Sequence, residues 1–118
     1  MSPEPYSDGP EPSAYAPVFA ALGDATRLSL VAKLSDGQTY SLSQLAAGSP
    51  LTRQAVTKHL RVLEDVGLVH RVRVGRESLF AFDPQPVAEM REYLDSVSRQ
   101  WDQALARLKS FVEEDEAP

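Results

Sequence analysis

The segment from Leu51 to Phe82 constrains this chain more than any other. Thr52 follows a Ser-Pro-Leu turn and is placed to cap a helix. Val56, Leu60, Leu63 and Val66 then recur at spacings of four, three and three, which is one apolar stripe on a helix that Gly67 ends. Arg53, Gln54, Thr57, Lys58 and Arg61 lie off that stripe. The period then changes to two. Leu68 to Val74 places Val69, Arg71 and Arg73 on one side and His70, Val72 and Val74 on the other. Gly75-Arg76-Glu77 can turn, and Ser78 to Phe82 alternates again. A capped amphipathic helix with a polar, basic outer face therefore runs into a hairpin with a basic tip.

The elements before it are short. Tyr15 to Leu22 is an apolar helix candidate stopped by Gly23. Asp24 can cap the next helix, whose apolar face is read as Leu28, Val31 and Leu34 with Leu30 beside them; Asp36-Gly37 ends it. Ser41 caps a third helix holding Leu42, Leu45 and Ala46, stopped by Gly48 and Pro50. After the hairpin, Asp83-Pro84-Gln85-Pro86 breaks the chain before a long final helix, with Pro86 suited to its first turn. In that helix Val87, Met90, Tyr93, Leu94, Val97, Trp101, Leu105, Leu108 and Val112 recur every three or four residues. A stripe of about seven turns, at 3.6 residues each, is longer than so small a core can cover, so it calls for another surface. Five of the nine prolines fall in the first 17 residues, and Met1 to Pro12 has no apolar periodicity. The expected organisation is a disordered tail over 1–13, a folded domain over 14–112 and an acidic tail over 113–118.

Charge sharpens this reading. The chain of 118 residues carries a net charge of −5, which at first argues against a nucleic-acid partner. Residues 51–80, however, hold six basic and three acidic groups, and the acidic excess lies in the flanks. A field that decays over about 10 Å at ordinary salt makes the local balance the one that matters to a polyanion. An α-helix fits the major groove, where Gln54 can read adenine and Arg53 or Arg61 can read guanine or clamp phosphate. Thr57 is short enough for close approach, and Lys58 suits a phosphate. In the ribbon, Arg71, Arg73 and Arg76 can contact phosphates or the minor groove.

Several classes of function lack their residues. With no cysteine there is no disulfide, thiolate metal site or thiol chemistry, and His59 and His70 are the only histidines. His59 sits beside the apolar stripe, open to a packed role or a DNA contact. Arg27 can pair with Asp24 or reach a phosphate, the structural role being favoured. No phosphate-binding glycine loop or nucleophile-and-base signature is present, so an enzyme is not expected. No apolar run approaches the roughly 20 residues of a membrane helix. The N-terminus lacks the basic and apolar regions of a secretory signal, so the chain is expected to be soluble and cytoplasmic.

The order helix, helix, turn, helix, two-stranded ribbon is that of a winged helix-turn-helix, mainly α with a small β-hairpin and a long C-terminal helix. The stretches Phe19-Ala-Ala-Leu-Gly-Asp-Ala-Thr-Arg-Leu28 and Leu51-Thr-Arg-Gln-Ala-Val-Thr-Lys-His-Leu-Arg-Val-Leu-Glu-Asp-Val-Gly-Leu-Val69 strongly resemble the ArsR family of bacterial transcription regulators. The resemblance covers about residues 15–110. It implies a homodimer that joins through its first and last helices and places its fourth helix, here 52–66, in the major groove, with the 71–78 hairpin as wing. It also implies repression at an inverted-repeat operator. Gln54, Thr57 and Lys58 occupy positions that the family turns toward DNA. The implied dimer interface takes Tyr15, Val18 and Phe19 with Tyr93, Leu94, Val97, Trp101, Leu105 and Leu108.

Metal sites known in the family need cysteines on the third helix, or Asp and His pairs on the last. Here Ser41 to Ala47 has no cysteine, and the final helix has Asp95 and Asp102 but no histidine. Neither a metal nor another cofactor is expected. The segment Trp101-Asp-Gln-Ala-Leu-Ala-Arg-Leu-Lys109 resembles a metal-independent branch. Double-stranded DNA and a second copy are the expected partners, and an unidentified small-molecule effector near Trp101 and Tyr93 stays open. The competing reading is a winged-helix module that binds another protein without specific DNA binding.

Overall fold

The computed structural model describes residues 11–116, and the N-terminal tail expected over 1–13 lies outside them as far as Pro10. The chain forms two compact units, one spanning Glu11–Val87 and the other beginning at Ala88.

The first unit holds α1 (Pro12–Leu22), α2 (Ala25–Leu34), β1 (Tyr40–Ser41), α3 (Leu42–Ala46), α4 (Arg53–Asp65), β2 (Val69–Val74) and β3 (Glu77–Phe82). Local chemistry starts its helices. Asp24 accepts from the Arg27 amide at 3.0 Å and caps α2. Ser41 and Gln44 form a reciprocal capping box on α3, at 3.1 and 2.8 Å. Thr52 Oγ1 accepts from the Ala55 amide at 3.1 Å and opens α4. At the other end of α4, Gly67 adopts φ +80, a conformation that glycine enters without a steric penalty.

Three expectations change. The first helix starts at Pro12 rather than Tyr15, which puts Pro17 inside it. On α2 the core face is Leu30, Val31 and Leu34, while Leu28 is 51% exposed. Leu28 is two residues from Leu30, about 200° around the helix at 3.6 residues per turn, so the two cannot share a face. The ribbon is also not two-stranded. Tyr40 pairs with Phe80 and Ser41 with Leu79, which adds β1 to an antiparallel sheet of order β1-β3-β2. A strand of two residues has no alternation to read.

The core gathers Ala21 of α1, Leu30 and Leu34 of α2, Leu45 of α3, Val56, Leu60 and Leu63 of α4, Leu68 just before β2, and Val69 and Phe80 of the sheet. The α4 stripe is thus fully buried at three of its four positions, and Val66 packs at its edge. This packing fixes the rotation of α4 and leaves its opposite face in solvent. In the hairpin Val74 pairs with Glu77, so Gly75 and Arg76 alone make the turn. Gly75 has φ +62 and Arg76 does not, the pattern of a type II′ turn.

The last helix, α5, runs from Gln85 to Glu116, and the second unit holds it from Ala88 onward. The helix continues past Val112, into the segment expected as an acidic tail. Its C-terminal half exposes Trp101 (68%), Leu105, Leu108 and Phe111 (70%). Among the described residues no helix is long and apolar enough to cross a membrane.

Candidate nucleic-acid interface

Helix α4 supplies the first part of the site. Arg53, Gln54, Lys58 and Arg61 are exposed and Thr57 is half-buried, on the face opposite Val56, Leu60 and Leu63. All five line one shallow depression, which Leu42 of α3 completes. Thr57 donates its hydroxyl to the Arg53 carbonyl at 2.8 Å. Its hydrogen is therefore committed to the helix, and its methyl group remains as a contact. The face offers four long donors around a small residue. The capped N-terminus of α4 adds the partial positive charge of a helix start.

Leu42 was not singled out as a site residue. A leucine on a helical stripe reads as core, and Leu42 does pack against the core. Only the tertiary contact of α3 with α4 shows that it also borders the polar face.

The hairpin supplies the second part. Arg76 is exposed at the two-residue turn, and Arg73 is exposed opposite Ser78. Arg71 differs. Its Nε lies 3.0 and 3.2 Å from the two carboxylate oxygens of Glu64, and its guanidinium stands 5.3 Å from the Phe80 ring centre. Glu64 lies in the last turn of α4, so Arg71 ties the base of the wing to that helix. An exposed ion pair of this kind contributes about 0–1 kcal/mol; its effect is on geometry. The sequence pointed to Arg71 by charge alone and could not show its partner.

A cluster beneath α4 involves His59, left open by sequence. Arg27 Nη1 lies 3.2 Å from His59 Nδ1, and Asp24 Oδ2 lies 3.8 Å from the same nitrogen. Arg27 also donates to Ala21 O at 2.5 Å and to Ala20 O at 3.4 Å. Both residues are thus engaged inside the protein. The Arg27 backbone amide, then the charge of the Arg27 side chain, holds the Asp24 carboxyl below its ordinary value.

The expected dimer residues divide between the units. Tyr15, Val18 and Phe19 lie half-buried on α1, with Val18 packed against the core. On α5, Tyr93 and Val97 are half-buried, while Leu94, Trp101, Leu105 and Leu108 are exposed. Among the described residues there is no group of three or more metal-binding side chains.

Comparison with known proteins decides the family. A model described as a helix-turn-helix domain matches residues 22–72. The HTH-type transcriptional regulator Rv2034 of Mycobacterium tuberculosis is 33% identical over 95 residues, covering 80% of this chain and 85% of its own. An ArsR-like transcriptional regulator from Rhodococcus sp. RHA1 superposes with a TM-score of 0.73 at 37% identity, covering 84% of this chain and 92% of that one. The chain belongs to the ArsR family. This ArsR-family protein is a winged helix-turn-helix transcriptional regulator, a DNA-binding protein by its domain. The same fold recurs, at 20% identity and a TM-score of 0.61, in the homodimeric winged helix-turn-helix DNA-binding domain Mb0332 of Mycobacterium bovis, with 85% of this chain and 92% of that one covered. Within the ArsR-family match, α3 and α4 form the helix-turn-helix, and β2 and β3 form the wing.

Proposed function

We propose that the protein is a homodimeric, sequence-specific repressor that acts in the bacterial cytoplasm on an imperfect inverted-repeat operator. Helix α4 enters the major groove. Gln54 reads a base edge, Arg53 and Arg61 read guanine or hold phosphate, Lys58 holds phosphate, and Thr57 allows the close approach. Arg73 and Arg76 carry the wing to the backbone or minor groove. Arg71, engaged by Glu64, contributes the least of the eight.

The observation that carries this reading is the gathering of Arg53, Gln54, Thr57, Lys58 and Arg61 on one exposed face of a capped helix whose opposite face is locked into the core. Two copies would join through Tyr15, Val18 and Phe19 of α1 and the Tyr93–Leu108 stripe of α5. The exposed Trp101, Leu105 and Leu108 support this, as does the homodimeric state of the Mycobacterium bovis domain. A two-fold dimer sets its reading helices about 34–36 Å apart, one DNA turn.

Selection of bound sites from a random DNA pool at two salt concentrations tests the proposal. The expected result is an enriched inverted repeat with half-sites about one turn apart. Weak, salt-sensitive binding without enrichment would overturn it, in favour of a protein-binding module.

A further inference from the structure

A second concavity lies away from the polar face of α4. It has a volume of about 390 Å³, within the range of about 300–1,000 Å³ typical of small-molecule sites. Leu30 of α2, Leu45 of α3 and Val56 of α4 form its floor, and each is almost wholly buried. Ser29, Lys33 and Ser49 stand on its rim.

The electrostatics of this cavity are one-sided. Lys33 is the only charged residue among the described residues lining it. Its ammonium donates to Gln44 O at 2.8 Å, and an ammonium carries three donors. Two remain for a ligand; the ammonium also faces the Tyr40 ring, 5.8 Å from its centre, and Ser29 and Ser49 line the same cavity. A DNA phosphate does not suit this site, because a phosphate cannot use the leucine and valine floor. The chemistry that uses both parts is a compact apolar body ending in one carboxylate.

The far wall is the turn over 47–51, which leads directly into Thr52, the cap of α4. Ser49 shapes that turn, since its hydroxyl accepts from the Leu51 amide at 3.1 Å. A molecule seated between α2 and this turn sets the start of the reading helix. We propose that this cavity is an effector site for a small apolar carboxylate, and that its occupancy lowers the affinity of α4 for DNA. The site is distinct from the aromatic seam of Trp101 and Tyr93 suggested by the sequence. Its binding half stands alone; its coupling half rests on the proposed DNA reading and requires unequal affinity for the free and DNA-bound states.

Sodium octanoate, with 1-octanol as its uncharged counterpart, tests both halves on the full chain. By amide-resolved NMR titration below the micellar range, octanoate should give saturable shifts centred on Ser29, Lys33 and Ser49. It should bind at least tenfold more tightly than octanol. Lys33→Met should remove that preference, and Ser29→Trp, a change at an exposed position, should abolish binding while the remaining spectrum stays that of a folded protein. Absence of saturable shifts, equal binding of octanoate and octanol, or undiminished binding to a folded Ser29→Trp variant would each overturn the site. Saturating octanoate should then weaken binding to the selected operator at least fivefold in the natural chain and leave Ser29→Trp unaffected. Octanoate binding without that change would overturn the effector role alone. Failure of the unliganded protein to select an operator counts against the DNA reading, because carboxylate binding is measured without DNA.

Discussion

Arg27 and His59, 32 residues apart in sequence, meet at 3.2 Å between Nη1 and Nδ1. A guanidinium only donates, so Nδ1 accepts and the ring proton sits on Nε2. The other donors of Arg27 hold the Ala20 and Ala21 carbonyls at the end of α1. One side chain on α2 thus satisfies the C-terminus of α1 and orients a residue of α4. Replacing Arg27 by Met should destabilise the protein by about 1.5–3 kcal/mol, the range for lost hydrogen bonds to a charged group. The urea midpoint should fall with its m-value unchanged. An unmoved midpoint would show that the contact contributes no stability.

Arg76 and Gln54 should fail in different ways. Arg76→Ala removes a charge at the wing turn, so binding should weaken on every sequence and the salt slope should drop by about 1. Gln54→Ala should relax preference at one base position, by about 1–3 kcal/mol, with the salt slope kept. Operator titrations across a salt series, together with single-base variants of the operator, separate the two. Equal loss on all sequences for Gln54→Ala would remove it from base reading.

Asp83 links the wing to the start of α5. Its Oδ1 accepts from the Gln85 amide at 2.9 Å, and its Oδ2 lies 2.7 Å from His70 Nε2. The Gln85 amide, then the His70 side chain, holds the carboxyl below its ordinary value of 3.8. A depressed folded value means the unfolded chain takes up the proton first. The stabilisation is therefore complete above the unfolded value and is lost as pH falls through the lower, folded one. Asp83→Asn should flatten the dependence of the urea midpoint on pH below about pH 4. Identical pH curves for the variant and the natural chain would show that the carboxylate adds nothing.

Trp101 is 68% exposed within the chain. If it anchors the second copy, Trp101→Ala should weaken dimerisation about thirtyfold, the equivalent of about 2 kcal/mol at an interface hot spot. Operator affinity should fall with it. Sedimentation equilibrium over a dilution series reads the constant directly, and a variant as dimeric as the natural chain would exclude Trp101 as an anchor.

The sequence by itself determined the parts whose signals are local. The caps Asp24, Ser41 and Thr52 are each satisfied within three residues. The Val56–Leu60–Leu63 stripe and the Gly75 turn depend only on period and on backbone freedom, and the polar face of α4 followed from the stripe by exclusion. Tertiary structure decided what depends on residues far apart. Leu28 looked like core, but the packing of α2 through Leu30, Val31 and Leu34 turns it outward. Tyr40 and Ser41 are a strand only because β3, some forty residues later, offers them an edge. Arg71 could not reveal Glu64 as its partner, nor could Arg27 reveal His59. Such pairs form only after burial of the apolar faces has fixed how the helices and sheet lie together, and neither charge nor period in one segment encodes that arrangement.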